Sequence, residues 1–299
     1  MNPVSRIIRE IIKWGEFVKF SHTVFALPFA LASMLVAAKD NRGWPGWRTF
    51  LLILAAMVCA RTCAMTFNRI VDRKFDKLNP RTASRHLATG AISLWSAQAL
   101  LLLSGGGFLL AAYFINTVCF VLSPVALFVV CFYSLTKRFT DYTHVYLGVA
   151  LGLAPIGAWL AVRESLGLSP VLLSISVVFW LIGFDIIYAM QDHEFDRQHG
   201  LHSVVVAWGV KNALQAAFLS HMIMWGLLAI FGFIERFKLV YLVGMCLIFV
   251  ALILEHWLAR KRSLKWINYS FFRLNALISL VFLVVTAVEI IFPWWRTRV

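Results

Sequence analysis

Nine stretches of roughly 20 mostly apolar residues recur along this 299-residue chain, each long enough to cross the ~30 Å of hydrocarbon in a bilayer. They fall near 21–38, 49–70, 93–114, 117–136, 143–162, 169–190, 213–234, 238–257 and 270–293. A chain built this way has few options. In lipid every backbone N–H and C=O must find its partner inside the protein, which leaves helices or closed barrels. Long apolar runs without alternation are helical. The expected fold class is therefore all-α: a polytopic membrane protein with nine transmembrane helices, forming a single domain over residues 1–299. The hydrophobic share of 61%, against ~45–50% for soluble domains, excludes an ordinary soluble protein.

A net charge of +14 is compatible with nucleic-acid binding, but the cations lie in short connections between apolar runs, not in a soluble module. No nucleic-acid partner is expected; the partner is the lipid bilayer. With the N-terminus cytoplasmic, the inner segments carry 18 Lys and Arg and the outer segments 8. That bias predicts N-terminus in and C-terminus out. Residues 1–19 alternate charge and bulk at helical period, as in an amphipathic helix at the membrane interface, and no removable signal peptide is expected. Cysteines 59, 63, 119, 131 and 246 fall inside spans without a C-x-x-C pair, so neither disulfides nor a zinc site are expected. Gly105-Gly106-Gly107 lacks a following Lys and reads as a close helix contact, not a phosphate loop.

Against this background two acidic stretches stand out. Asn68, Asp72 and Asp76 follow one another at intervals of four, and Asp185, Tyr188, Asp192 and Asp196 at intervals of three, four and four. With Glu194 these stretches hold six of the chain's 14 acidic residues. A carboxylate in the membrane costs roughly 2.5–3.5 kcal/mol on insertion scales, so such clusters are functional candidates. The spacing places each set along one helix face, at the cytoplasmic end of a span. Hard oxygen donors of this kind suit Mg²⁺, which binds through a few carboxylates plus substrate phosphates. The pattern reads as two Mg²⁺-diphosphate clamps facing each other.

Cations lie beside the acids. Arg81 and Arg85, in the Asn79-Pro80-Arg81-Thr82 connection, and Lys137 and Arg138 after the fourth span are candidate diphosphate contacts. Arg73, Lys74 and Lys77 serve topology equally well. Arg61 lies two turns before Asn68, inside the membrane, and needs an anionic partner there: a substrate phosphate or carboxylate, or a motif Asp. Tyr188, with Trp180, Phe184 and Phe195, could wall a carbocation. His193, His199 and His202 read as solvated loop residues, and Glu255 and Glu289 as structural acids.

At these motifs the chain resembles the UbiA superfamily of intramembrane aromatic prenyltransferases. The N-x-x-x-D-x-x-x-D of residues 68–76 and the D-x-x-Y-A-x-x-D-x-x-x-D of residues 185–196 are similar to its two signatures. The resemblance implies nine helices around a central cavity, open to lipid for an isoprenoid tail and capped on the cytoplasmic side by residues 71–92 and 191–212. It implies a metal-diphosphate role, with two Mg²⁺, for Asn68, Asp72, Asp76, Asp192 and Asp196. It also implies an acceptor pocket shaped by Asp185 and Tyr188, and matches Lys137, Arg138 and Arg61 to basic positions of the family. The implied activity is transfer of a polyprenyl chain from a polyprenyl diphosphate to a ring carbon of an aromatic hydroxy-acid of the 4-hydroxybenzoate type, in respiratory quinone biosynthesis at the bacterial cytoplasmic membrane. The segment Ser-His-Thr-Val-Phe-Ala-Leu-Pro-Phe at residues 21–29 is also similar to relatives acting on 1,4-dihydroxy-6-naphthoate, the alternative acceptor. A transporter using the intramembrane acids is the rival from another class. Acids at helix ends beside basic loops fit it less well than acids at the bilayer midplane would.

Overall fold

The computed structural model describes residues 3–260, 267 and 270–292; the cations expected at 261, 262, 265, 296 and 298 lie outside them. Among the described residues every regular element is a helix. The first helix is α1 (Pro3–Phe17), followed by α2 (Thr23–Ala37), α3 (Trp47–Val71), the short α4 (Arg73–Leu78) and α5 (His86–Thr89), α6 (Leu94–Ile115) and α7 (Thr117–Phe132). Then come α8 (Thr143–Arg163), α9 (Leu168–Ala189), the short α10 (His193–Gln198), α11 (Val204–Ile234), α12 (Leu239–Ala259) and α13 (Asn275–Ile291). Nine of these helices, with their continuations, are long and apolar enough to cross a membrane.

Their ends are where the sequence chemistry places them. Ser93, Asn116 and Ser203 cap α6, α7 and α11, each accepting the backbone N–H three residues on, as short oxygen side chains do at helix starts. Ile8, Ile11 and Ile12 stand exposed along α1. They form an exposed apolar face on that helix. At the other end of α1, Phe17 and Val18 are buried against Leu87, Ile92 and Ala97.

One boundary differs from expectation. The seventh span begins at Val204, not near 213, so much of residues 191–212 is helical and not loop. Val204 to Trp208 is apolar and Ser203 caps it. Gly209, with φ of 72°, kinks the helix without ending it, a backbone position glycine occupies without Cβ strain.

The last three spans pack with α2 and α9 into the main core. Phe29 stacks on Phe282 at 4.9 Å and meets Trp180 at 4.9 Å. Several polar groups inside this core pair with one another, as burial favours. Trp180 Nε1 donates to Asn275 Oδ1 at 2.7 Å, and Asn275 Nδ2 to Glu255 Oε1 at 2.7 Å. Glu289 accepts the backbone N–H groups of Lys238 and Tyr241 and so caps α12 from a neighbouring helix. Both acids thus make structural bonds. Trp180, expected at the carbocation wall, is instead buried in this core, because its indole N–H is held by Asn275.

Small residues set the closest approaches. Gly105 and Gly107 of α6 face Cys63 and Cys59 of α3, the helix contact expected for the glycine run. A Cβ on Gly183 would lie 2.1 Å from the His221 ring. That ring is fully buried and hydrogen-bonded to His256 at 2.9 Å. Gly183→Ala is therefore expected to destabilise the protein by about 2–3 kcal/mol, an overpacking cost, read as a clear drop in apparent melting temperature in detergent. An unchanged melt would show that the α9–α11 contact yields freely.

Candidate active site

A cavity of about 560 Å³ opens among the first six spans. The apolar wall is built from mid-helix residues such as Ile53, Met57, Leu122, Val125 and Ile156. Its polar end lies where α3 and α9 terminate. Arg61, Arg81, Arg85, Lys137, Arg138 and the seven residues of the two motifs expected at the site (Asn68, Asp72, Asp76, Asp185, Tyr188, Asp192 and Asp196) all line it. The last three spans do not; they back the cavity with the packed core. The cavity is lined by six of the nine spans.

The two motifs are built alike, and not as straight helix faces. α3 ends at Val71, Asp72 takes φ −88° and ψ 0°, and Asp76 stands on the six-residue α4. α9 runs into a 3₁₀ turn, Asp192 takes φ −101° and ψ 0°, and Asp196 stands on the six-residue α10. The hydrogen-bond ladder crosses the first bend, with Asp72 N on Asn68 O at 2.9 Å and Asp76 N on Asp72 O at 2.8 Å. The bend re-aims the later acid while the backbone stays satisfied.

Four aspartates each hold a different cation. Arg81 grips Asp192 with two bonds, Nε to Oδ1 at 2.8 Å and Nη2 to Oδ2 at 2.5 Å, and reaches the Tyr188 hydroxyl at 3.1 Å. Arg85 meets Asp76 at 2.6 Å, Lys137 meets Asp196 at 2.9 Å, and Arg138 meets Asp72 at 3.3 Å. Pairs of this kind form where charges leave water together. Burial alone would lower the Arg81 guanidinium, but its bonds to Asp192 outweigh this and raise it above its ordinary value. The Asp72 carboxyl is pushed up by burial and then by the charge of Asp76. Asp185 differs from the other four: its partner is His144, at 2.6 Å.

The cavity wall carries seven Lys and Arg against five Asp, an excess suited to anionic ligands. Lys19, Arg61 and Arg69 form no ion pair among the described residues. Arg61 reaches only the Lys19 carbonyl, at 3.4 Å, and its Nε is buried without a partner. The alternative of an Arg61 bond to a motif Asp is thereby set aside. Burial, then Arg69 and Arg85, pull the Lys19 ammonium below its ordinary range.

Three cavity features were not anticipated. Lys19 lines the wall from the αL turn after α1, with φ of 51°. Asn79 donates to Asp192 Oδ1 at 3.0 Å, its place signalled only by Asn-Pro beside the basic loop. His144 stands behind Asp185 in the first turn of α8. Of the expected aromatic wall, Tyr188, Phe184 and Phe195 line the cavity. His202 instead bonds Asp141 at 2.9 Å, and His199 stacks on Phe195.

The donor chemistry fits Mg²⁺: Asn68 and four aspartates offer hard oxygens at one end of the cavity. No three His, Cys, Asp or Glu side chains among the described residues come close enough to hold an ion alone. Mg²⁺ held through one or two carboxylates and substrate phosphates requires no such cluster. The mutual repulsion and burial at Asp72 are what a divalent ion would relieve.

Comparison with known proteins agrees with this architecture. The family model described as the UbiA prenyltransferase family matches residues 26–285. A 4-hydroxybenzoate octaprenyltransferase of Paraburkholderia phymatum is 30% identical, the match covering 68% of this chain and 70% of the relative. One of Methylobacillus flagellatus is 35% identical, with the match spanning 56% of both chains, a little over half of that relative's length. A UbiA homolog from Aeropyrum pernix K1 superposes with a TM-score of 0.81 at 32% identity, covering 90% of this chain and 98% of that one. A UbiA homolog from Archaeoglobus fulgidus bound to GPP and Mg²⁺ shares the fold, with a TM-score of 0.70 at 21% identity over 92% and 99% of the two chains. A match over most of the chain, on top of nine spans and paired acidic motifs at one cavity mouth, makes this protein a member of the UbiA prenyltransferase family.

Proposed function

We propose that the protein transfers a polyprenyl group from a polyprenyl diphosphate to a ring carbon of an aromatic hydroxy-acid of the 4-hydroxybenzoate type, as a step in respiratory quinone synthesis. The observation that carries this is the cavity's division into two chemistries. Four carboxylates, each held by its own Lys or Arg, stand at one end, and hydrocarbon walls run on from them. That division matches a substrate with an anionic head and an apolar tail. Two Mg²⁺ ions, one per motif, would be held by Asn68, Asp72 and Asp76 and by Asp192 and Asp196. Bound there, Mg²⁺ would neutralise charge building on the diphosphate as its C–O bond breaks.

The chain's own residues do the rest. Arg81, Arg85, Lys137 and Arg138 meet the diphosphate oxygens, arginine through its planar fork and lysine as a point charge. When the C–O bond breaks, both electrons leave with the diphosphate. Tyr188 and Phe184 face the allylic cation left behind, in a cavity whose apolar walls exclude water. Arg61 holds the acceptor's carboxylate, so the ring presents a carbon to that cation. A ring π pair forms the new C–C bond, and the proton at that carbon passes to the Asp185 carboxylate, restoring aromaticity. Asp185 suits this role because no Lys or Arg among the described residues is bonded to its oxygens. The relatives named as 4-hydroxybenzoate octaprenyltransferases and the archaeal homolog bound to GPP and Mg²⁺ support the same chemistry.

The Lys and Arg bias supports a cytoplasmic position for the motif end of the cavity. Sealed inside-out membrane vesicles test reaction and orientation together. With Mg²⁺, a prenyl diphosphate and 4-hydroxybenzoate added outside, prenylated acid and pyrophosphate are expected, with dihydroxynaphthoate run alongside. Passage of the aromatic acid without product would favour a transporter. Product from right-side-out vesicles alone would reverse the orientation.

A further inference from the structure

His144 is fully buried and does not line the cavity. Its Nδ1 lies 2.6 Å from Asp185 Oδ2. An ionised carboxylate only accepts, so Nδ1 carries the proton and donates. The other ring nitrogen, Nε2, is buried with no hydrogen-bond partner. The imidazole is therefore committed to a single polar contact, the back of Asp185.

Helix packing makes that contact. His144 begins a stripe on α8 that continues with Gly148 and Gly152, one residue in every four. A Cβ on Gly148 would lie 2.8 Å from the Val178 carbonyl oxygen, and one on Gly152 3.0 Å from Ser174 Oγ. Ser174, Val178 and Asp185 share a face of α9 by their spacing of four and seven. Two glycines thus let α8 and α9 approach backbone to backbone, and the helices deliver His144 to Asp185 at the end of the seam.

We infer that His144 is a positioning residue that fixes the Asp185 carboxylate toward the aromatic acceptor, an inference resting on the prenyl-transfer function proposed above. With Oδ2 tied from behind, the carboxylate no longer rotates freely and Oδ1 is left for the cavity. The arrangement inverts the usual one in which a carboxylate orients a histidine. A reacting group held this way keeps its geometry only while its supporting shell is intact. His144 acts on the acceptor half of the reaction. The diphosphate half is served by the other four aspartates and their cations.

The test uses purified full-length protein with Mg²⁺, geranyl diphosphate and 4-hydroxybenzoate. His144→Phe fills the space without a donor, while His144→Asn keeps an N–H near the Nδ1 position. A positioned acid or base contributes about 10²–10⁴-fold, so His144→Phe is expected to lower kcat about 30-fold. Its KM for geranyl diphosphate should stay within about twofold, and His144→Asn should recover kcat to within about fivefold of the parent. His144→Leu replaces the phenylalanine variant if that one is not recovered folded. Wild-type kcat in the variant lacking a donor would overturn the inference. So would an asparagine variant that melts like the parent yet is as slow as the phenylalanine one, or a loss confined to KM for geranyl diphosphate. Absence of prenylated acid from the unmutated protein would instead overturn the proposed function itself.

Discussion

Asp192→Ala is expected to lower kcat for prenyl transfer by about 10³-fold while leaving the protein folded. Deleting one preorganised group that meets developing charge typically costs about 10²–10³-fold, and Asp192 serves more than one partner. It takes both bonds of the Arg81 fork, accepts from Asn79, and stands at the bend that carries Asp196 onto α10. Without it Arg81 loses the carboxylate that aims it and is left beside Tyr188 alone. The pair is only partly buried, so its removal should cost about 1–2 kcal/mol of stability, a few degrees in apparent melting temperature. Pyrophosphate release and product formation, measured with the melt, separate the two effects. A kcat within tenfold of the parent would show that the second motif does not meet the diphosphate.

Arg61→Ala is expected to raise KM for the aromatic acid by about 10–100-fold with little change in KM for the prenyl diphosphate. Arg61 is a cation within the third helix whose only hydrogen bond among the described residues is a long one to a backbone carbonyl, and its Nε meets no acceptor there. Such a group in a membrane calls for an anion, and a hydrogen bond to a charged group is worth about 1.5–3 kcal/mol. The methyl ester of the acid provides the control. Lacking the charge, it should bind the parent and the variant alike. A rise in KM for the prenyl diphosphate instead would move Arg61 to the other substrate. Equal loss for acid and ester would make its role structural.

The fold was legible because hydrocarbon thickness sets a length that sequence reports directly: nine apolar runs became nine spanning helices, eight with ends within a few residues. Span 7 was expected to begin near 213, whereas in the folded chain the helix starts at Val204, bends at Gly209 and continues. The motif acids were legible for a similar reason. Charge in an apolar chain is conspicuous, and helical period put Asn68 with Asp72, and Asp185 with Asp192, each pair on one helix face.

What period alone could not convey was which cation each acid holds. Arg81 and Asp192 are 111 residues apart, and their meeting depends on where α4 and α10 point after each helix bends. Nor could it separate Trp180 from Phe184, four residues on along the same helix: one donates to Asn275 in the packed core, the other faces the cavity. His144 was passed over because a single histidine in a hydrophobic run carries no spacing signal of its own. The sequence by itself determined nine membrane-length helices among the described residues and the two places where acids would gather, since both follow from local composition and period. Only the tertiary structure decided the partners, because glycine contacts such as Gly148 against Val178 set how near two helices come, and that distance chooses which side chains touch.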